Sequence, residues 1–363
     1  MERDRRPLKR VPHLLTLAAA AILTAGVVAG VTLATDSTSS PSARKAPVSS
    51  AGPAGLAVEN AFVAVVDSVS PSVVQIEDRQ GLGSGIVLDS AGDIVTNNHV
   101  VTGASAFTVT DSSGKQYSAK LVGAFPPDDL AVIKASRAHL KPASFADSSK
   151  LRVGDLAIAI GNPLGLRSSV TEGIVSAFRQ AVEEEGGVTL PSMIQTSAAI
   201  NPGNSGGALV DINGRVIGIP TLAATDPQLG GGSAPGIGFA IPSNLVTDIA
   251  GQLVEHGRVV DSHRAFLGVT VGNTLRDGVV VIAVTPTGAA AHAGLQVGDL
   301  IVSVDGKPTP TTAALSAVLA ELKPAQKFAV VVERPNGRRV TSHVTLGRYP
   351  AADATLASGR RGR

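Results

Sequence analysis

Apolar and polar positions alternate over short distances through most of this chain. The stretches 85-GIVLD-89, 93-DIVTN-97, 106-AFTVT-110, 130-LAVIK-134, 155-DLAIAI-160 and 208-ALVDINGRVIGI-219 are too short for helices and are bounded by Gly, Asn, Asp or Pro. Such runs read as strands, and Asn213-Gly214 between two of them is a hairpin signal. Many short strands with frequent turns predict sandwich or barrel packing rather than βαβ units. Helical spacing is confined to three places. Within residues 56–76 a short amphipathic helix ends near Pro71 and gives way to a strand. Residues 243–257 form a helix with Ser243 as N-cap and Gly257 as its C-terminal stop. Residues 311–322 form a third helix inside a second β-rich unit, which also carries an Asn336-Gly337 hairpin. The expected fold is therefore mainly β.

One stretch breaks this pattern. Residues 14–34 (LLTLAAAAILTAGVVAGVTLA) hold no charge over 21 positions and follow a basic cluster, MERDRRPLKR. About 20 apolar residues span a bilayer as a helix, with flanking Arg and Lys on the cytoplasmic side. A cleaved signal peptide has a shorter apolar core, and Thr32-Leu33-Ala34 is a poor cleavage site. Residues 1–13 are thus expected to be a cytoplasmic basic segment and 14–35 a transmembrane signal-anchor. Residues 36–55, rich in Ser, Pro and Ala, read as a flexible tether. The chain beyond residue 35 then lies outside the cytoplasm, the alternative being a secreted or periplasmic protein after signal cleavage. A first β-rich unit spans 56–257, a connector 258–264 and the second unit 265–347. Residues 348–363 form a basic tail expected to be disordered.

Composition narrows the chemistry. The net charge of +2 comes from the two ends, so the body is mildly acidic and carries no basic stripe for nucleic acid. There is no cysteine, hence no disulfide, thiol nucleophile or Cys-ligated zinc. His256, Asp261 and His263 fit no compact metal template; neither metal nor cofactor is expected.

The stretch 201-NPGNSGGALV-210 sets one hydroxyl, Ser205, among glycines. A serine attacks a carbonyl only when a base takes its proton, a third group orients that base, and donors face the developing oxyanion. Gly203 and Gly206 allow a sharp turn that leaves the Gly203 and Ser205 amides open. The backbone N–H groups of Gly203, Asn204 and Ser205 make up the candidate oxyanion hole. Of the histidines at 13, 99, 139, 256, 263, 292 and 343, His99 sits at a strand end in 93-DIVTNNHVV-101. Asp129, just before a strand, could meet an imidazole N–H. Asp128 is an equal rival, and spacing does not choose between them.

The segments 83-GSGIVLD-89, 96-TNNHVV-101, 129-DLAVIK-134, 160-IGNPLG-165, 198-AAINPGNSGGAL-209 and 238-GFAIPSN-244 resemble the HtrA/Deg family of chymotrypsin-fold serine proteases. The match runs in order through most of residues 60–250. It implies two antiparallel β-barrels, with His99 as general base, Asp129 rather than Asp128 as its orienting carboxylate, and Ser205 as nucleophile. The His…Asp…Ser order is that of chymotrypsin. It separates the chain from α/β-hydrolases, whose G-x-S-x-G motif GNSGG also satisfies but whose acid and histidine follow the serine. Two positions depart from the family pattern: Ser197 stands where Asp is common and Ala208 where Pro is common. The first should alter how the loop before the oxyanion hole is anchored. The resemblance places the floor of the specificity pocket at Ala199, with Ile219, Phe239 and Ala240 as walls. Small or medium aliphatic P1 residues would fit. The loop 220–236 reads as a mobile gate.

The second unit, with 265-AFLGV-269 and 278-GVVVIAVTPTGAAAHAGLQVGDLIVSVDGKP-308, resembles a PDZ domain. Phe266, Leu267, Gly268 and Val269 would then form a carboxylate-binding loop for C-terminal peptides, with helix 311–322 as the groove wall. Taken together, the resemblances imply a serine endopeptidase for unfolded or damaged extracytoplasmic proteins, which the apolar run 14–34 would anchor in the plasma membrane. They also imply a homotrimer assembled near Phe62. The rival is a catalytically silent PDZ scaffold or holdase on a protease fold.

Overall fold

The computed structural model describes residues 53–348 apart from residues 80, 137–138, 163–168, 184–188, 202, 227–231 and 275–277. The apolar run 14–34 lies outside the described residues, among which no helix is long and apolar enough to cross a membrane. Helix α1 (Pro53–Val69) begins inside the stretch expected as tether and ends before a short 3-10 turn, Ser70–Ser72.

Two six-stranded closed barrels follow. The first comprises β1 (Val73–Glu77), β2 (Leu82–Val87), β3 (Asp93–Asn97), β4 (Ala106–Thr110), β5 (Gln116–Phe125) and β6 (Leu130–Ala135), in the order β1-β2-β3-β6-β5-β4. The second comprises β7 (Leu156–Gly161), β8 (Ser169–Glu183), β9 (Thr189–Thr196), β10 (Ala208–Val210), β11 (Val216–Asp226) and β12 (Gly232–Pro242), in the order β10-β11-β12-β9-β8-β7. A short helix, α2 (Asn98–Val101), interrupts the first barrel just after β3. Closing each sheet removes its open edges, which suits strands rich in buried Val, Ile, Leu and Ala side chains.

Helix α3 (Ser243–His256) sits across both barrels. Val246, Ile249, Ala250 and Leu253 recur at helical spacing and join a core cluster with Phe125 and Leu130 of the first barrel and Ile241 of the second. Its stop is as expected, since Gly257 adopts a left-handed φ of 69° and donates to the Leu253 carbonyl. Its start is not. Ser243 is the first helical residue and makes no cap, because its hydroxyl donates to the Ala146 carbonyl at 2.7 Å instead.

Of residues 220–236, expected as a mobile gate, 227–231 lie outside the described residues, while 220–226 belong to β11 and 232–236 to β12. β11 pairs with β12 as far out as Thr225–Ser233 and Asp226–Gly232. The pairing carries bulges between Pro220 and Leu222 and between Ala223 and Thr225.

The last unit has its own core, built from residues such as Leu267, Val281, Ile301, Leu315, Val330 and Val344. Its strands are β13 (Ala265–Phe266), β14 (Val269–Asn273), β15 (Val279–Val284), β16 (Leu300–Val304), β17 (Lys307–Pro308), β18 (Lys327–Glu333), β19 (Arg339–Thr345) and β20 (Gly347–Arg348). The main sheet runs β14-β15-β16-β18-β19. Helices α4 (Ala289–His292) and α5 (Thr312–Ala320) complete the unit, and Gly337 at φ 81° turns the β18–β19 hairpin. Arg348, assigned to the tail by sequence, pairs with Ala265 and so belongs to this unit.

Leu253, fully buried on α3, tests this packing. Leu253→Ala should cost about 2–5 kcal/mol in urea unfolding. A loss below about 1 kcal/mol would mean that α3 does not seal the barrels as described.

Candidate active site

Asp129 gathers the site. The 3-10 turn Pro126–Asp128 leads into it, and Asp129 takes a left-handed conformation at φ 49°. Asp tolerates this region better than most residues, yet the position is strained and must be held from outside. It is held well. The Asp129 carbonyl accepts from Asn98 N–H and from the Asn97 side-chain amide, both at 3.0 Å. Carboxylate Oδ1 accepts from the backbone N–H of His99 at 2.9 Å, and Oδ2 lies 2.8 Å from His99 Nδ1. The carboxylate is buried, whereas the imidazole is 42% exposed. Commitment of Nδ1–H to Asp129 fixes the tautomer that carries the basic lone pair on Nε2.

A third donor comes from the other barrel. Thr221 on β11 donates its hydroxyl to Asp129 Oδ2 at 2.5 Å, while its carbonyl lies 3.4 Å from Ser205 Oγ. Thr221 therefore stands between the acid and the serine, across 92 residues of chain. Sequence reasoning missed it, because a threonine in a strand carries no motif.

The glycines around Ser205 have steric reasons. A Cβ on Gly206, whose φ is 78°, would lie 2.3 Å from the Ser84 carbonyl oxygen, and one on Gly207 2.4 Å from that of Ile160. Close approach lets β2 grip the loop. Ser84 N–H donates to the Ser205 carbonyl at 3.1 Å, and Ser84 Oγ donates to the Gly203 carbonyl at 2.6 Å. The Gly203 and Ser205 amides donate to no partner among the described residues. Asn204 corrects the expectation that all three amides face the oxyanion. Its N–H donates to the Asn201 carbonyl at 3.1 Å, and its side chain bonds Asn201 N–H and the Ala199 carbonyl. It staples the turn rather than offering a donor. Ser197, the departure from the family pattern, anchors the preceding loop by accepting from Ile174 N–H at 3.1 Å.

The expected pocket walls are only partly placed as such. Ala199 is exposed and Phe239 retains a little exposure. Ile219 and Ala240 are fully buried in core clusters, so they present no surface to a ligand. Ile219 pairs across the strands with Ile241 and joins its core cluster, while Ala240, one position before Ile241, points to the opposite face and into a second cluster. Phe266, Leu267, Gly268 and Val269 line a groove of about 590 Å3 with Leu315 and Leu319 of α5. Gly268 adopts φ 81°, and its missing Cβ leaves room for Gly288. Ser192, Pro242 and Leu245 of the barrel unit line the same groove, so a peptide there would touch both units.

Asp128, the sequence rival of Asp129, points elsewhere. It is buried and pairs with Arg264 Nη1 at 2.8 Å. Burial pushes its carboxyl up to about 6, against the opposing pull of Arg264 and with a further push from Asp248.

Two barrels meeting at an Asp–His pair and a glycine-bound serine define a chymotrypsin-like peptidase domain, here followed by a peptide-groove unit. Comparison with known proteins agrees. A trypsin-like peptidase domain matches residues 83–219 and a PDZ domain residues 265–346. The periplasmic serine endoprotease DegP of Salmonella typhimurium is 41% identical over 303 residues, 79% of this chain and 62% of that protein. The periplasmic pH-dependent serine endoprotease DegQ of Escherichia coli is 40% identical over 290 residues, 76% of this chain and 61% of its own. The chain thus spans about three-fifths of these relatives' length. Among solved structures, the HtrA-type protease AlgW with a decapeptide is 33% identical at a TM-score of 0.57, over 80% of this chain and 99% of that one. A serine endoprotease from Yersinia pestis is 34% identical at a TM-score of 0.55, over 79% and 98%. The chain belongs to the HtrA/DegP family of trypsin-like serine proteases with a C-terminal PDZ domain.

The raised Asp128 carboxyl has a measurable sign. The folded state holds this proton more tightly than the unfolded state, so the group's contribution to stability is present below about 3.8 and lost as pH rises toward about 6. Relative to the parent, Asp128→Asn should therefore gain in melting temperature as pH rises through that window and level off above it. A difference independent of pH would show that Asp128 is not buried as described.

Proposed function

We propose that this chain is a membrane-anchored serine endopeptidase that cleaves unfolded or damaged extracytoplasmic polypeptides through an acyl-enzyme. The observation that carries the reading is the Asp129 carboxylate, which accepts from His99 Nδ1 on one barrel and from Thr221 on the other, beside Ser205. In the proposed sequence His99 Nε2 takes the Ser205 proton as Oγ attacks the peptide carbonyl. Asp129 keeps the imidazole in the correct tautomer and stabilises the imidazolium that forms. The Gly203 and Ser205 amides meet the oxyanion, and His99 returns its proton to the leaving amine. Water then attacks the acyl-Ser205 ester by the same route in reverse.

Ala199 at the pocket floor carries no carboxylate, which favours small or medium aliphatic P1 residues over Lys or Arg. The PDZ groove takes C-terminal peptides at the loop 266–269, and its barrel-unit lining gives an occupied groove a way to regulate cleavage. The run 14–34 supplies the single-pass anchor, with both folded units on the periplasmic side, the compartment named for the DegP and DegQ relatives.

Ser205→Ala should lower casein cleavage by about 10⁵–10⁶-fold without loss of folding. The parent should take a fluorophosphonate label at Ser205. Undiminished cleavage by the variant would remove Ser205 from the mechanism, and an unlabelled parent would favour the silent scaffold. A homotrimer is part of the same reading, since Leu56 and Val63, one heptad apart on α1, are each at least half exposed. Light scattering on the chain lacking residues 1–52 should return a trimer mass; a monomer would refute that assembly.

A further inference from the structure

We propose that Arg264, which lies outside the peptidase barrels, is a positioning residue for Asp129 in the reaction. The inference rests on the catalytic reading above. It starts from what Arg264 holds. Its Nη1 donates both to the Pro127 carbonyl and to Asp128 Oδ1, the latter at 2.8 Å. These acceptors belong to the two residues directly before Asp129, inside the 3-10 turn that delivers it. The guanidinium therefore grips the turn at the point where the backbone enters a strained left-handed residue. Asn97 and Asn98 hold the Asp129 carbonyl from the other side. Between the two grips, the direction of the Asp129 carboxylate is fixed.

The electrostatics make the clamp necessary. Asp128 and Asp129 are consecutive carboxylates at 1% and 2% exposure. Asp129 has three donors of its own, whereas Asp128 Oδ2 has no hydrogen-bond partner among the described residues. Asp248 on α3 also acts on Asp128, repelling it, and Asp248 itself lies 3.5 Å from His263 Nε2. Without Arg264, the turn would carry a buried charge with no cation against it. It could relax only by protonating Asp128 or by turning it toward water, and the second response moves Asp129. Arg264 is also the residue directly before β13, which opens the peptide-groove loop, so this grip ties the PDZ unit to the acid's turn.

The test compares the parent with Arg264→Met and with Asp128→Asn/Arg264→Met in the full chain. The readouts are fluorophosphonate labelling against pH and kcat and KM on a fluorogenic peptide. Arg264→Met should lose about 10–100-fold in labelling rate and kcat, with KM little changed. The acidic limb of its pH profile should move to lower pH, because an imidazolium whose carboxylate has drifted loses its proton more readily. The double variant should recover most of the rate, since the uncompensated charge has gone. Arg264→Lys, which keeps the charge but not the fork, should show a smaller loss of the same kind and stands in if Arg264→Met does not fold. A folded Arg264→Met or Arg264→Lys labelled at the parent's rate with an unmoved limb overturns the inference. So does a double variant as slow as the single. A parent that takes no label overturns the catalytic reading and this inference together, whereas a labelled parent with an indifferent Arg264 overturns the inference alone.

Discussion

A single carboxylate joins the parts of this molecule that matter for chemistry. Asp129 accepts from the backbone and ring of His99 within the first barrel and from Thr221 of the second. Burial makes each of these hydrogen bonds stronger than it would be in water. The arrangement fixes more than a proton. It selects the tautomer of His99, it sets Thr221 so that its carbonyl faces Ser205, and it holds the seam between two barrels at one point. Two six-stranded barrels alone would leave the histidine and the serine on separate bodies.

The serine loop is built on the opposite principle, removal of side chains. Gly206 and Gly207 let the backbone approach β2 and β7 to distances no Cβ would permit. Ser84 converts that proximity into hydrogen bonds to Ser205 and Gly203. The amides at 203 and 205 are left to face a ligand, while Asn204 spends its own amide and side chain on keeping the turn closed. Rigid neighbours and unspent donors are what stabilisation of an oxyanion requires.

The sequence was informative where chemistry is written into local pattern and silent where it depends on chain pairs far apart. His99, Ser205 and the glycines stand in compact blocks, and the β-hairpin at Asn213-Gly214 follows from turn chemistry. The choice of Asp129 over Asp128 needed a family resemblance; in the structure the reason is geometric, since the turn aims one carboxylate at His99 and the other at Arg264. Thr221, Ser84 and Arg264 were out of reach, because each acts on a residue 92, 119 or 136 positions away. Residues 220–226 and 232–236, read as part of a loop, are paired strands, and the stretch 227–231 between them lies outside the described residues. Ile219 and Ala240 were assigned to a pocket by position alone, and core clusters on the two faces of the sheet bury one each.

The most direct test of the account is proton NMR of the far-downfield region, where an imidazole N–H bonded to a buried carboxylate resonates. Ser205→Ala should retain one such signal from His99 Nδ1–H, and Asp129→Asn should lose it while Asp128→Asn keeps it. A signal that survives Asp129→Asn, or none in the parent at any pH or temperature at which it is folded, would contradict the pairing on which the rest depends.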